Sequence, residues 1–259
     1  MSEAIGIAVM AKAPYAGRCK TRLMPALSPD QAAAMSAAFL GDVTDNLALA
    51  AKSAAIAPYV AYAPADAAAA FTGLTAPGTG LLLADGSIEA PHRVTGFGAC
   101  LLHAVTGLLA HGHQAACVLN SDSPNLPTRL LVQATRLLLQ PRDQIVLGPA
   151  EDGGYYFLGM RQAHAELFAD IDWSTARVAA QTRDRAAALG LAVIELQPWY
   201  DVDDPASLRR LLRAITSGPV DGEFPAHRTR TRAAIFGLLQ TASPNIAAPH
   251  WQGALGATV

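Results

Sequence analysis

Four basic side chains lie close together near the start of the 259-residue chain: Lys12, Arg18, Lys20 and Arg22. No acidic residue interrupts this stretch of eleven residues. The chain has only three lysines in all, and 15% of its residues are charged, against about 25% in an average soluble domain. Clustered cations and loop amides suit a polyphosphate, because they neutralise the charge that builds up when a phosphate group departs. A solvated basic turn is the alternative, but the scarcity of lysine elsewhere favours phosphate binding.

Three aspartates in two other segments could bind a metal ion. Asp122 follows a short apolar run, whereas Asp201 and Asp203 lie just before a predicted helix. In an extended segment Asp201 and Asp203 would face the same side, because side chains alternate along a strand. Carboxylates are the usual protein ligands of Mg²⁺, which binds one or two of them together with substrate phosphates. The alternatives are an Asx turn at Asp122 and a solvated acidic turn at the other two.

A fourth segment, Asp152-Gly153-Gly154, lies between two apolar runs. Adjacent glycines indicate a tight turn or a close approach of the backbone to a ligand. A plain hairpin turn is an equally good interpretation. The segment is therefore a candidate contact for substrate.

The elements that must position these segments are short apolar strands alternating with helices. Strands are predicted at 5–11, 57–62, 80–83, 115–120, 144–149, 155–160 and 191–196, and helices at 29–51, 98–110, 130–139, 175–189 and 205–215. Ser28 and Gln31 form a capping box for the first helix, and Asp204 caps the last of these. Such alternation predicts an α/β fold with a mostly parallel sheet, in which ligands bind beyond the carboxyl ends of the strands.

Composition excludes several classes of protein. A net charge of −2 argues against a general nucleic-acid binder, and no apolar run is long enough for a membrane span. The N-terminus lacks a basic region and a cleavage site, so no signal peptide is expected. Three widely spaced cysteines suggest reduced thiols in a cytoplasmic protein. The cations beside Cys19 would lower the pKa of its thiol, although we expect only a packing role.

The charged and glycine-rich segments together resemble a known superfamily. They read A-K-A-P-Y-A-G-R-C-K-T-R-L from Ala11, D-S-P-N-L from Asp122, D-G-G-Y-Y from Asp152, W-S-T from Trp173 and Y-D-V-D-D-P from Tyr200. This set resembles the nucleotide-diphospho-sugar transferases with the GT-A fold. Within that superfamily it is most similar to a bacterial family of glycosyltransferases of the arsenosugar-biosynthesis type, over residues 4–215.

The resemblance implies a fold and a domain organisation. The expected fold is a single α/β, GT-A-like (Rossmann-like) domain over residues 1–217, with a mostly parallel mixed sheet flanked by helices. Residues 218–259 would form a peripheral C-terminal tail with one short helix, near residues 232–240.

The resemblance also implies roles for site residues. Lys12, Arg18, Lys20 and Arg22 would bind the nucleotide phosphates, with Lys20 and Asp122 as catalytic residues. Asp122 and Asp203, with Asp201 less central, would bind Mg²⁺ or Mn²⁺. The sugar or acceptor would lie against Asp152, Gly153 and Gly154.

Three functions stay open at this point. The first is metal-dependent glycosyl transfer from a nucleotide sugar to a small acceptor. The second is nucleotidyl transfer, because the basic loop and the late D-V-D segment also resemble the 2-phospho-L-lactate guanylyltransferases; it would release pyrophosphate. The third is nucleotide binding without turnover, favoured by the absence near Gly96 of an acidic segment that is typical of the family. Expected partners are a nucleotide or nucleotide-sugar donor and a small acceptor, with no nucleic acid.

Overall fold

The apolar runs of the sequence form one seven-stranded sheet. In the computed structural model, which describes residues 4–24, 26–216 and 229–241, the strand order is β3-β2-β1-β4-β6-β5-β7. The strands are β1 (Ile5–Lys12), β2 (Ile56–Ala63), β3 (Gly80–Leu83), β4 (Ala116–Asn120), β5 (Gln144–Pro149), β6 (Tyr155–Met160) and β7 (Ala192–Glu195). Only β6 runs antiparallel to its neighbours among these strands. The predicted α/β class with a mostly parallel mixed sheet is confirmed.

Helices cover both faces of the sheet. They are α1 (Pro29–Ala50), α2 (Phe97–Ala110), α3 (Thr128–Leu138), α4 (Val178–Ala188), α5 (Pro205–Thr216) and α6 (Arg230–Thr241). The capping box is present at α1, where the Ser28 hydroxyl accepts from the Gln31 amide and the Gln31 side chain accepts from the Ser28 amide. The Asp204 carboxylate accepts from the Ser207 amide at 2.7 Å and so caps α5. Both caps match the sequence prediction.

Three buried clusters hold these layers together. One lies between the sheet and helices α1 and α3, and the second between the sheet and helices α2 and α4. This explains why the central strands are apolar on both faces. The third cluster joins the loop after β1 to helices α1, α5 and α6 through Leu23, Phe39, Val202 and Ile235. No helix in the described ranges is long and apolar enough to cross a membrane.

The centre of the sheet contains a topological switch point. Strand β1 pairs in parallel with both β2 and β4, so the chain leaves β1 in one direction while β4 lies on its other side. In open α/β sheets, ligands bind at such a point beyond the carboxyl ends of the strands. The loops that follow β1 and β4 meet there.

Helix α6 docks on α1 through a buried carboxylate. The Asp42 carboxylate accepts from the backbone amides of Arg230 at 2.6 Å and Thr231 at 2.9 Å. The Arg230 side chain bonds Asp45 and the Leu74 carbonyl. Most of the predicted tail, residues 217–228 and 242–259 with the boundary at 217/218, lies outside the described residues.

The buried position of Asp42 predicts a pH-dependent stability. Burial raises the pKa of Asp42 from 3.8 to about 6, despite the hydrogen bonds that it accepts. A carboxyl with a raised folded-state pKa favours folding while it is protonated, so this contribution is lost as the pH rises from about 4 to 6. Relative to Asp42→Asn, which cannot titrate, the wild-type free energy of unfolding should fall by up to about 3 kcal/mol over that interval. Urea denaturation across the range measures this; parallel pH profiles would contradict it.

Candidate active site

Lys20 joins the two acidic segments at the switch point. Its Nζ lies 2.7 Å from Asp122 Oδ1 and 2.9 Å from Asp203 Oδ1, and it donates to the Val202 carbonyl at 2.7 Å. The lysine side chain is 6% exposed, whereas the two carboxylates are 34% and 26% exposed. Residues about 100 and 180 positions apart in the chain therefore bind one ammonium group.

The backbone of the first loop brings Lys20 to this position. Gly17 and Lys20 both adopt left-handed conformations, with φ of 77° and 48°, so the chain turns back after β1. A 3₁₀ turn at Thr21–Leu23 follows, and buried Leu23 anchors it in the third cluster. The Phe39 ring lies beneath the ammonium, with its centroid 5.1 Å from Nζ. Contact with an aromatic face further stabilises the charged group.

Electrostatics keep this lysine charged. Burial alone would lower the pKa of Lys20, but the carboxylates of Asp122 and Asp203 outweigh it and raise the pKa above its ordinary value. The pair of carboxylates therefore faces a permanent cation in this arrangement.

The other three cations of the loop are exposed. Arg22 contacts Asp203 Oδ2 at 3.2 Å from the solvent side. Lys12, at the end of β1, and Arg18 form no salt bridge with any carboxylate in the part of the chain that the structure describes. These two side chains are available for an external anion near the Lys20 site.

Asp201 and Asp203 do not face the same partner, which differs from the alternation expected of an extended segment. Asp201 Oδ1 accepts from Asn120 Nδ2 at 2.6 Å and from the Ser123 hydroxyl at 2.8 Å, whereas Asp203 binds Lys20. Burial raises the pKa of Asp201 to about 6, assisted by the charge of Asp122. Asp201 therefore braces the end of β4, while Asp122 and Asp203 share the cation.

The Asp152 segment is a hairpin turn between β5 and β6, as one of the two interpretations of the sequence predicted. Asp152 Oδ1 accepts from the Gly154 amide at 2.9 Å. Gly153 has φ of 91°, and its carbonyl accepts from the Ala179 amide at 2.9 Å. A Cβ on Gly153 would lie 2.2 Å from the Ala176 carbonyl oxygen. The glycine is thus required for packing against the segment before α4, whatever it does for a ligand.

This packing predicts a large difference between two glycines of similar conformation. Gly17→Ala should cost about 1 kcal/mol, since only the positive φ is unfavourable and its Cβ would enter open space. Gly153→Ala should cost about 2–4 kcal/mol, because overpacking adds to the backbone penalty. Chemical denaturation of both variants measures the difference. Equal destabilisation would show that the Ala176 contact relaxes freely.

A clamp that sequence patterns did not reveal connects this hairpin to the late acidic segment. Glu151 forms a two-pronged ion pair with Arg210 of α5, at 2.6 and 3.0 Å. The Arg210 guanidinium stacks 3.7 Å from the Tyr200 ring, and the Tyr200 hydroxyl accepts from Asn125 Nδ2. The residue before Asp201 is therefore fixed from two sides.

Two polar atoms near the carboxyl ends of β4 and β6 have unused hydrogen-bonding capacity. Asn120 Oδ1 and the Tyr155 hydroxyl are buried and have no hydrogen-bond partner among the described residues. By contrast, the Cys19 thiol is closed off. Burial raises its pKa and outweighs the neighbouring cations that the sequence suggested would lower it.

The donor chemistry of the site fits a hard divalent cation. Two carboxylate oxygens, from Asp122 and Asp203, converge on one point that a cation already occupies, the Lys20 ammonium. Mg²⁺ binds one or two carboxylates and completes its shell with water and phosphate oxygens. Within the described ranges, no three His, Cys, Asp or Glu side chains are grouped to hold a metal by themselves. The residues thus suit a cation that a ligand helps to bind.

A family model matches half of the chain, residues 46–175. The family is described as an uncharacterized protein conserved in bacteria, DUF2064. The matched region includes Asp122 and the Asp152 hairpin but neither the basic loop nor the segment of Asp203. No curated protein sequence is significantly similar to this chain.

Solved structures share the fold over nearly the whole chain. A protein from Desulfovibrio desulfuricans G20, proposed to be a nucleotide-diphospho-sugar transferase, is 25% identical with a TM-score of 0.74, covering 93% of this chain and 96% of the other. A cytidylyltransferase from Leptospira borgpetersenii is 11% identical with a TM-score of 0.52, covering 98% of each chain. A CMP:2-keto-3-deoxy-manno-octonic acid synthetase complexed with CTP is 13% identical with a TM-score of 0.50, covering 83% and 98%. The last two likenesses concern the fold alone.

Proposed function

We propose that this chain, which belongs to the bacterial family DUF2064, is a transferase that uses a nucleotide donor. The observation that carries the proposal is the convergence of Asp122 and Asp203 on Lys20 at the β1/β4 switch point. The likeness to the Desulfovibrio protein supports a nucleotide sugar as that donor. The leading proposal is therefore glycosyl transfer from a nucleotide sugar to a small acceptor.

The diphosphate of the donor would lie across the basic loop. Lys12 and Arg18 are exposed and form no salt bridge among the described residues, so they can bind phosphate oxygens without breaking an existing ion pair. Arg22 contacts Asp203 from the solvent side and can reach phosphate oxygens beside it. Lys20 would contact the bond that breaks, where its charge stabilises the departing phosphate.

Asp122 and Asp203 are the residues that would hold Mg²⁺ or Mn²⁺. A divalent cation bound to donor phosphates stabilises the negative charge that develops on a leaving group. Asp201 would position these ligands through Asn120 and Ser123 rather than bind the ion itself. Asp152, Gly153 and Gly154 border the acidic side of the site and are the proposed contacts for the sugar or acceptor.

Product analysis tests this function. Purified protein is incubated with nucleotide sugars, Mg²⁺ or Mn²⁺ and a panel of small acceptors, and the phosphorus products are followed by ³¹P NMR. Glycosyl transfer predicts release of a nucleoside diphosphate. Binding of nucleotides without any product over long incubation would instead support a module without turnover.

Nucleotidyl transfer is the second candidate, and the number of cations favours it. Lys12, Arg18, Lys20 and Arg22 together match the four negative charges of a nucleoside triphosphate better than the two of a nucleotide sugar. The reaction would join a phosphorylated acceptor to the α-phosphate and release pyrophosphate. The same ³¹P spectra, recorded with nucleoside triphosphates, distinguish the two because pyrophosphate forms only in this reaction.

A further inference from the structure

We propose that Lys20 acts as an internal competitor for the divalent cation, so that metal and polyphosphate bind this site together and neither alone fills it. The inference rests on the proposed function and adds an order to it. In the ligand-free protein the lysine ammonium neutralises Asp122 and Asp203. A metal ion can take over those carboxylates only when a phosphate receives the lysine.

The hydrogen bonds of Lys20 support this role. An ammonium group has three N–H donors and no acceptor. Here all three find acceptors, in Asp122 Oδ1, Asp203 Oδ1 and the Val202 carbonyl, each within 2.9 Å. With the Phe39 ring beneath it, the group has no free donor for a phosphate oxygen. Lys20 must therefore exchange at least one protein partner before it can contact a donor molecule.

The same distances bear on the metal. A divalent ion bound to both carboxylate oxygens would lie within a few ångströms of the ammonium, where like charges strongly repel each other. Metal alone offers Lys20 no new partner, so its binding would leave a largely buried ammonium unpaired. Metal with a polyphosphate supplies oxygens for both cations. The two ligands are therefore coupled, and the coupling is reciprocal.

Binding of Mn²⁺ alone tests the competition without any turnover. Isothermal titration calorimetry compares the wild type with Lys20→Met, which removes the ammonium but keeps an apolar chain over Phe39. Removal of the competitor should raise the affinity for Mn²⁺ about tenfold or more. Arg22→Met is the matched control, because it also removes a cation from Asp203 but not from the shared point. Its affinity for Mn²⁺ should change less than about threefold.

A second arm measures the coupling with inorganic pyrophosphate, which needs no nucleotide base. Pyrophosphate should raise the Mn²⁺ affinity of the wild type by a larger factor than that of Lys20→Met, because only the wild type has a lysine to be transferred. Thermal unfolding verifies that both variants are folded. In the double variant Lys20→Met/Asp203→Asn the gain in Mn²⁺ affinity should disappear.

The outcomes separate this inference from the proposed function. Equal Mn²⁺ affinity in wild type and Lys20→Met would overturn the competition, while product formation from nucleotides could still establish the transferase. Equal gains in Lys20→Met and Arg22→Met would also overturn it, since general charge would then explain both. Absence of Mn²⁺ binding in every variant, even with pyrophosphate, would overturn the competition together with the metal assignment.

Discussion

Asp122→Asn is expected to lower kcat/KM for the transfer reaction by about 1,000-fold. The substitution removes a proposed metal ligand and one of the two carboxylates that hold Lys20. It should leave the fold intact, because the contact of residue 122 with the late acidic segment is made by its backbone carbonyl, which accepts from the Val202 amide at 2.8 Å. Initial rates at several metal concentrations measure the loss.

The control for Asp122 is its neighbour. The Ser121 hydroxyl donates to Asp122 Oδ1 at 3.1 Å but has no other role in the proposed mechanism. Ser121→Ala should therefore reduce kcat/KM less than about tenfold. An Asp122→Asn enzyme within tenfold of the wild type, at unchanged metal dependence, would remove Asp122 from the catalytic site.

Lys20→Met should give the second large effect, a fall in kcat of about 100- to 1,000-fold. The loss is expected to persist at saturating Mn²⁺, although the same variant should bind Mn²⁺ alone more tightly. Tighter metal binding combined with slower chemistry is a signature that simple misfolding does not produce. Lys20→Arg should restore little activity, since a planar guanidinium cannot direct three donors from one nitrogen to the three acceptors around Nζ.

Single-turnover rates at saturating Mn²⁺ measure this prediction. Arg22→Met is again the comparison, and its exposed contact with Asp203 predicts a loss of tenfold or less. If both variants lost activity equally, the loop would act through its total charge and Lys20 would have no separate role.

Local patterns predicted those parts of the molecule that depend on local physics. The capping box at Ser28 and the cap at Asp204 are formed by residues three positions apart, and both are present. The buried strands were predictable because each is a short apolar run. From these the order of loops at the carboxyl edge followed, and with it the meeting of the basic loop and Asp122.

Contacts between distant residues decided what the sequence could not predict. Alternation suggested that Asp201 and Asp203 act together, but the Val202 amide bonds to the Asp122 carbonyl and the two carboxylates take different partners. The pair of Glu151 and Arg210 joins residues 59 positions apart, and no spacing rule indicates it. Burial likewise reversed the pKa shift expected for Cys19 from its charged neighbours.

The measurement that tests the central claim most directly is calorimetric binding of nucleotides to the wild type with Mg²⁺ and with excess EDTA. The account predicts binding of at least one nucleoside triphosphate, diphosphate or nucleotide sugar. The affinity should fall about tenfold or more when Mg²⁺ is removed, and Asp203→Asn should abolish that dependence. If no nucleotide binds under either condition, or if affinity is unaffected by both Mg²⁺ and Asp203→Asn, the site does not hold a metal-bound nucleotide.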